Sequence, residues 1–181
     1  MKPALLFLPV VVAAALSWAL TPLARRLAAS VGAMDQPGER KVHREPIARL
    51  GGVAVAAAFS LVCGAMLAGV LPVPRAPQAD LLGTMALGAL PVFLASLVDD
   101  LRGLHRLARL AAQAVGAAFV VANGVVLNPQ VHLFGADIRI GVLAVPLSFL
   151  WIVGITNAFN LIDGLDGLSA GLALIACFAL A

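Results

Sequence analysis

Residues 81–100 read LLGTMALGALPVFLASLVDD, eighteen uncharged and mostly apolar residues running straight into two aspartates. A helix over Leu81–Val98 would rise about 27 Å, close to the ~30 Å of hydrocarbon in a bilayer. Four more stretches of this kind can be read, roughly 3–23, 50–71, 110–127 and 140–156, and a sixth begins at Leu168. Glycine and proline inside them, such as Gly64, Gly88, Pro91, Gly116 and Pro146, suit membrane helices, where neighbouring helices re-satisfy the backbone. Composition agrees. Hydrophobic residues make up 62% of the 181 and charged ones 12%, whereas a soluble domain sits nearer half and a quarter. The expectation is an all-α, polytopic transmembrane helix bundle with five full spans and a truncated sixth, forming a single membrane domain over 1–181. The stretch VHLFGADIRI, Val131–Ile140, adds a small external β-hairpin around Gly135-Ala136.

The net charge of +3 would be compatible with nucleic acid, but the basic residues sit in short connections between apolar runs, which is a topology signal instead. The connection after the first run holds Arg25, Arg26, Arg40, Lys41, Arg44 and Arg49, and that after the third holds Arg102, Arg106 and Arg109. Only Lys2, Arg75 and Arg139 lie on the other side, so nine charges against three place both connections in the cytoplasm. Alternation then puts Asn157–Gly167 there too. A cleaved signal peptide is disfavoured because the first run continues to about Leu23, enough for a span. Cys63 and Cys177 lie inside apolar runs and read as small hydrophobes, with no disulfide expected.

Three polar constellations interrupt this pattern. The first, DQPGERKVHREPIARLGG at Asp35–Gly52, packs acids, bases and His43 into one connection ending in a glycine pair. A positive-inside loop would explain its arginines but not Asp35, His43 or Gly51-Gly52, whose backbone N–H groups at a helix start suit an anion. The second is Asp99-Asp100. Adjacent carboxylates at a membrane boundary repel each other, are costly to desolvate and oppose the macrodipole at a helix C-terminus. A solvated helix end is the bland alternative, and a metal or cationic partner would remove the penalty. The third, NAFNLIDGLDGL at Asn157–Leu168, spaces Asn157, Asn160, Asp163 and Asp166 three apart, so one helical side would carry them. A polar turn needs one capping residue rather than four, and hard oxygens among glycines suit magnesium bound with substrate phosphates. Basic residues, carboxylates and a membrane boundary on one predicted face together imply phosphoryl transfer at the bilayer surface. A transporter would place its charges near the midplane, where only Gln113 and Asn123 stand; a scaffold would need no metal.

These segments resemble the polyprenyl-phosphate N-acetylhexosamine-1-phosphate transferase family, in its bacterial cell-envelope form. Asp35, Pro37, Arg40-Lys41, His43, Pro46 and Arg49–Gly52 look like the family's first cytoplasmic motif. Asp99-Asp100 look like its paired aspartates, with Arg109 and Gln113 at the basic and glutamine positions that follow, and Asn157–Gly167 looks like its most specific motif. The stretch Ile47-Ala48-Arg49-Leu50 is similar to the N-acetylglucosamine branch; the phospho-MurNAc-pentapeptide translocase branch, the alternative, carries a threonine-proline-threonine-methionine stretch there. Ser96 and Leu107 replace a common glycine and proline. The later glycine-aspartate motif and the basic or histidine-rich loop of the family are not in this sequence, so the chain reads as the N-terminal part of a longer transferase domain, inactive by itself.

The resemblance implies transfer of a sugar-1-phosphate from a UDP-sugar to polyprenyl phosphate, releasing UMP, in cell-envelope synthesis at the cytoplasmic side of the plasma membrane. It implies Mg2+, with Mn2+ as a substitute, held by Asn160 and Asp163. Asp99 and Asp100 are the candidate catalytic pair, near the lipid phosphate. Lys41, His43, Arg49, Asn157 and Asp166 are the candidate substrate-binding groups. A phosphate monoester has a second pKa of about 6, so the nucleophile is mostly dianionic at neutral pH and positioning outweighs proton removal. The partners implied are the UDP-sugar, the lipid and the membrane, without nucleic acid; a homodimer is left open.

Overall fold

A computed structural model of the chain describes residues 7–35, 46–71, 79–133, 136–162 and 167–180. Six α-helices and two short antiparallel strand pairs follow in order: α1 (Leu8–Val31), β1 (Met34–Asp35), β2 (Ile47–Ala48), α2 (Gly51–Leu67), α3 (Ala79–Arg102), α4 (Arg106–Ala122), β3 (Gln130–Leu133), β4 (Ala136–Arg139), a 3-10 turn (Gly141–Leu143), α5 (Ala144–Ile162) and α6 (Leu168–Leu180). The protein is a helical, multi-pass membrane protein. Its helices turn large apolar side chains outward, including Trp18, Trp151 and Leu161, as suits helices surrounded by hydrocarbon.

The helices depart from the expected spans at their ends. Among the described residues three are long and apolar enough to cross a bilayer: Leu8–Val31, Asp80–Arg102 and Gly141–Ile162. α2 has 17 residues, about 26 Å, and α4 also has 17 and begins with two arginines within its first four residues. Of the five full spans predicted, three therefore correspond to helices of full membrane-crossing length, and the other two fall on the 17-residue α2 and α4. Arg25 and Arg26, expected in a loop, lie inside α1, because nothing between Leu23 and Gly32 breaks a helix; Gly32, with φ of 75°, ends it. Asp99 and Asp100 stand at a helix end as expected, and Asn157 and Asn160 lie near the end of α5. The expected hairpin is present, with Val131 opposite Ile138 and His132 opposite Asp137; its tip at 134–135 lies outside the described residues.

The described chain forms two compact units. One comprises Met1–Gly83 and Phe93–Leu104. In it α1 packs on α2, and small residues fill the contact: Ala24 and Ala28 on α1, and Ala54, Ala58 and Val62 on α2, are buried. Without a hydrophobic drive between helices in lipid, small side chains that permit close approach do the holding. The other unit comprises Thr84–Val92 and His105–Ala181. There the Thr84–Val92 part of α3 crosses α4 so closely that a Cβ on Gly116 would overlap the Gly88 carbonyl, and one on Gly88 would overlap the Val120 side chain. α4 packs on α5. Buried Ser148 of α5 holds the segment that follows α4: its hydroxyl donates to Ala144 O (2.6 Å) and accepts the Leu127 N–H (2.7 Å).

Candidate functional site

In the first unit, the described residues of the first two constellations share one end. Past α1, Ala33 N–H bonds back to Ala28 O (2.8 Å), and the chain then extends into β1. β1 pairs with β2, Met34 opposite Ala48 and Asp35 opposite Ile47. Arg49 N–H bonds to Ala33 O (3.0 Å), and the Arg49 guanidinium donates to the Asp35 carboxylate. Beneath lie Ala28, Ala33 and Leu50, all at most 3% exposed, with Leu97 of α3 packed against them. Leu97 stands two residues before Asp99, so one apolar plug serves both polar constellations. Gly51 and Gly52 open α2. A Cβ on either would meet nothing within 4 Å, and neither has positive φ. The local packing therefore does not require the glycine pair.

Asp99 and Asp100 are half-buried in the last turn of α3. Gly103, at φ of 70°, takes the left-handed conformation that ends the helix, and its N–H bonds to Asp99 O (2.8 Å). The Asp99 side chain then accepts the Leu104 N–H at 2.5 Å. This contact offsets part of the dipole penalty that the sequence left open, and a charge-assisted bond of this kind is among the stronger ones. Arg102 in the same turn adds a favourable charge.

In the second unit, His105 caps α4 with its Nδ1 accepting the Leu107 N–H at 3.3 Å. Asn157 and Asn160 stand in the last two turns of α5, the first half-buried and the second exposed. Their three-residue spacing keeps them about 60° apart on one side of the helix. Gln113 is buried at 5% exposure, with its Oε1 unpartnered among the described residues.

Four of the predicted site residues, Lys41, His43, Asp163 and Asp166, lie outside the described residues. Among the described ones, no three side chains of His, Cys, Asp or Glu gather closely enough to hold a metal ion. The donors that are described, the Asp99 and Asp100 carboxylates and the Asn157 and Asn160 amides, are hard oxygens, and that donor type fits magnesium. The strand pair, the Asp35–Arg49 contact and the Asp99 cap were not anticipated. Two-residue strands carry no periodicity, and the only signal was an acid and a base flanking one connection.

Residues 82–181, just over half of the chain, match the family model described as Glycosyl transferase family 4. The chain belongs to that family. Among curated relatives, the "Probable undecaprenyl-phosphate N-acetylglucosaminyl 1-phosphate transferase" of Bacillus subtilis is 36% identical over 157 residues, 86% of this chain and 42% of that protein. The "Decaprenyl-phosphate N-acetylglucosaminephosphotransferase" of Mycobacterium tuberculosis is 34% identical over 180 residues, 93% of this chain and 42% of the relative. The "Undecaprenyl-phosphate alpha-N-acetylglucosaminyl 1-phosphate transferase" of Thermotoga maritima is 30% identical, with 89% and 47% covered. The chain thus spans less than half the length of these relatives. No solved structure matches it.

Proposed function

We propose that this glycosyltransferase family 4 chain belongs to an enzyme that transfers N-acetylglucosamine-1-phosphate from UDP-N-acetylglucosamine to a polyprenyl phosphate. The observation that carries the reading is the family match, joined to relatives named for this transfer across most of the chain's length. A lipid phosphate oxygen attacks the β-phosphorus of the nucleotide sugar. The bond from that phosphorus to the bridging oxygen breaks, and UMP leaves with the electron pair, giving a polyprenyl diphosphate sugar. The work lies in the plasma membrane at its cytoplasmic face, in cell-envelope polysaccharide synthesis.

Each group has a role the chemistry asks for. Asp99 and Asp100, at the end of α3, orient the lipid phosphate rather than deprotonate it, since the monoester is already mostly dianionic near neutrality. Lys41 and His43 hold anionic phosphate or nucleotide, and Asn157 and Asp166 orient the donor. The oxygens of Asn160 and Asp163 would hold a divalent cation, magnesium or manganese, which when bound neutralises charge on the diphosphate. Catalysis of this class depends on positioning and electrostatics more than on covalent chemistry. The Ile47–Leu50 stretch supports the N-acetylglucosamine branch over the phospho-MurNAc-pentapeptide branch.

The test is lipid-dependent release of UMP from UDP-N-acetylglucosamine by the complete polypeptide in detergent or nanodiscs, with and without magnesium. Release that needs polyprenyl phosphate supports the reading. Release without the lipid, or none at all, overturns it.

A further inference from the structure

The first connection was expected to bring Arg49 to the substrate, yet its guanidinium is engaged by Asp35. The two residues stand at the ends of a chain excursion that leaves α1 and returns at α2. Between them, the only described ladder is two residues long on each side, Met34-Asp35 with Ile47-Ala48. So short a ladder is marginal alone, and a slip of one residue would turn every side chain to the opposite face. In the observed register the Asp35 carboxylate and the Arg49 guanidinium meet. The Arg49 N–H, bonded to Ala33 O, fixes the return strand to the end of α1. Leu50, directly after Arg49, is buried at 2% exposure in the plug that also receives Leu97 of α3.

From this arrangement we infer that Asp35 and Arg49 are a positioning pair, an ion-paired neck that registers the first connection against the Asp99-Asp100 end of α3, and that Arg49 is not a substrate contact. The inference rests on the transfer proposed above. The side chains are 19% and 40% exposed for Asp35 and Arg49, so their value is geometric: partly solvated pairs contribute little energy but select one register. Lys41 and His43 lie in the sequence between the two.

A covalent neck separates the two roles. In the complete polypeptide with Cys63→Ala, Cys177→Ala and any further cysteines replaced, Met34→Cys and Ala48→Cys are introduced at positions directly opposed across the ladder. That opposition gives Cα separations within disulfide range. Arg49→Ala should lower kcat by roughly tenfold or more, since small misplacements are costly in such sites. Oxidation should then restore kcat to within about threefold of the arginine parent, and dithiothreitol should remove the rescue. A cross-link that forms, shown by mass, but leaves the alanine variant impaired would mean that Arg49 acts on substrate, and the inference fails. It fails as well if Arg49→Ala keeps full turnover or if the cysteines do not join under oxidant. Where the parent itself shows no lipid-dependent UMP release, the transfer reading falls and cross-linking decides the neck. The Met34→Cys/Ala48→Cys pair should join more slowly under oxidant when Arg49→Ala is added, and equal rates with and without the arginine overturn the pair.

Discussion

The α1–α2 end of the first unit and the α3–α4 crossing of the second are held by opposite means. At the first, directional polar contacts do the fixing: a strand pair, an Asp35–Arg49 ion pair and the Asp99 carboxylate on the Leu104 amide. At the second, Gly88 and Gly116 bring two backbones together with no side chain between them. The difference follows from the solvent. Inside hydrocarbon, apolar side chains gain nothing by leaving lipid for a neighbour, so close packing and the rare satisfied hydroxyl hold helices together. At the boundary, water and charge return, and polar groups can choose a register. Chemistry on charged phosphates belongs to the second setting, where positioning can be directional.

That contrast can be broken most directly by Asp163→Asn in the complete enzyme. The change keeps size and removes a charge from a proposed cation site, so turnover should drop at least about a hundredfold, ~2.7 kcal/mol of barrier, with melting unchanged. Near-normal turnover at saturating magnesium would remove Asp163 from the boundary chemistry. The interior should answer in the opposite sense. Gly116→Ala places a methyl against the Gly88 carbonyl, and overpacking of this kind costs about 1–3 kcal/mol. A lowered Tm in nanodiscs is expected, and an unaltered one would mean that α3 and α4 separate at no cost.

Smaller effects sharpen the boundary between the two regimes. Asp99→Ala removes the acceptor of the Leu104 N–H and should cost about 1 kcal/mol of stability, whereas Asp99→Asn keeps an acceptor and should melt close to the parent. Equal melting of the alanine and asparagine variants would deny Asp99 its part in the turn. Smallest, and of opposite sign, is Gln113→Met. The buried Oε1 has no partner among the described residues, so replacing the amide by an apolar side chain of similar volume should leave stability equal or raise it by up to ~1 kcal/mol, read as an equal or higher Tm. A clear loss would show that the carbonyl is satisfied in the membrane-embedded enzyme.

The sequence by itself determined the membrane, the helices and the polar constellations. A run such as 81–98 can be placed nowhere but in hydrocarbon, and its backbone can then be satisfied only within a helix. The hairpin around Gly135-Ala136 was legible for a similar local reason, a glycine turn between strand-like stretches. What was not legible lay at helix ends and in contacts between segments distant along the chain. Hydropathy fades at Leu23 while helicity continues to Val31, because arginine and leucine both extend a helix. The pairing of Asp35 with Arg49 spans 14 residues, and nothing local distinguishes a guanidinium that meets a carboxylate from one that waits for a phosphate. Only the tertiary structure decided that, because the two-residue ladder rests on the apolar plug of Ala28, Ala33, Leu50 and Leu97, and there the Asp35 carboxylate meets the Arg49 guanidinium.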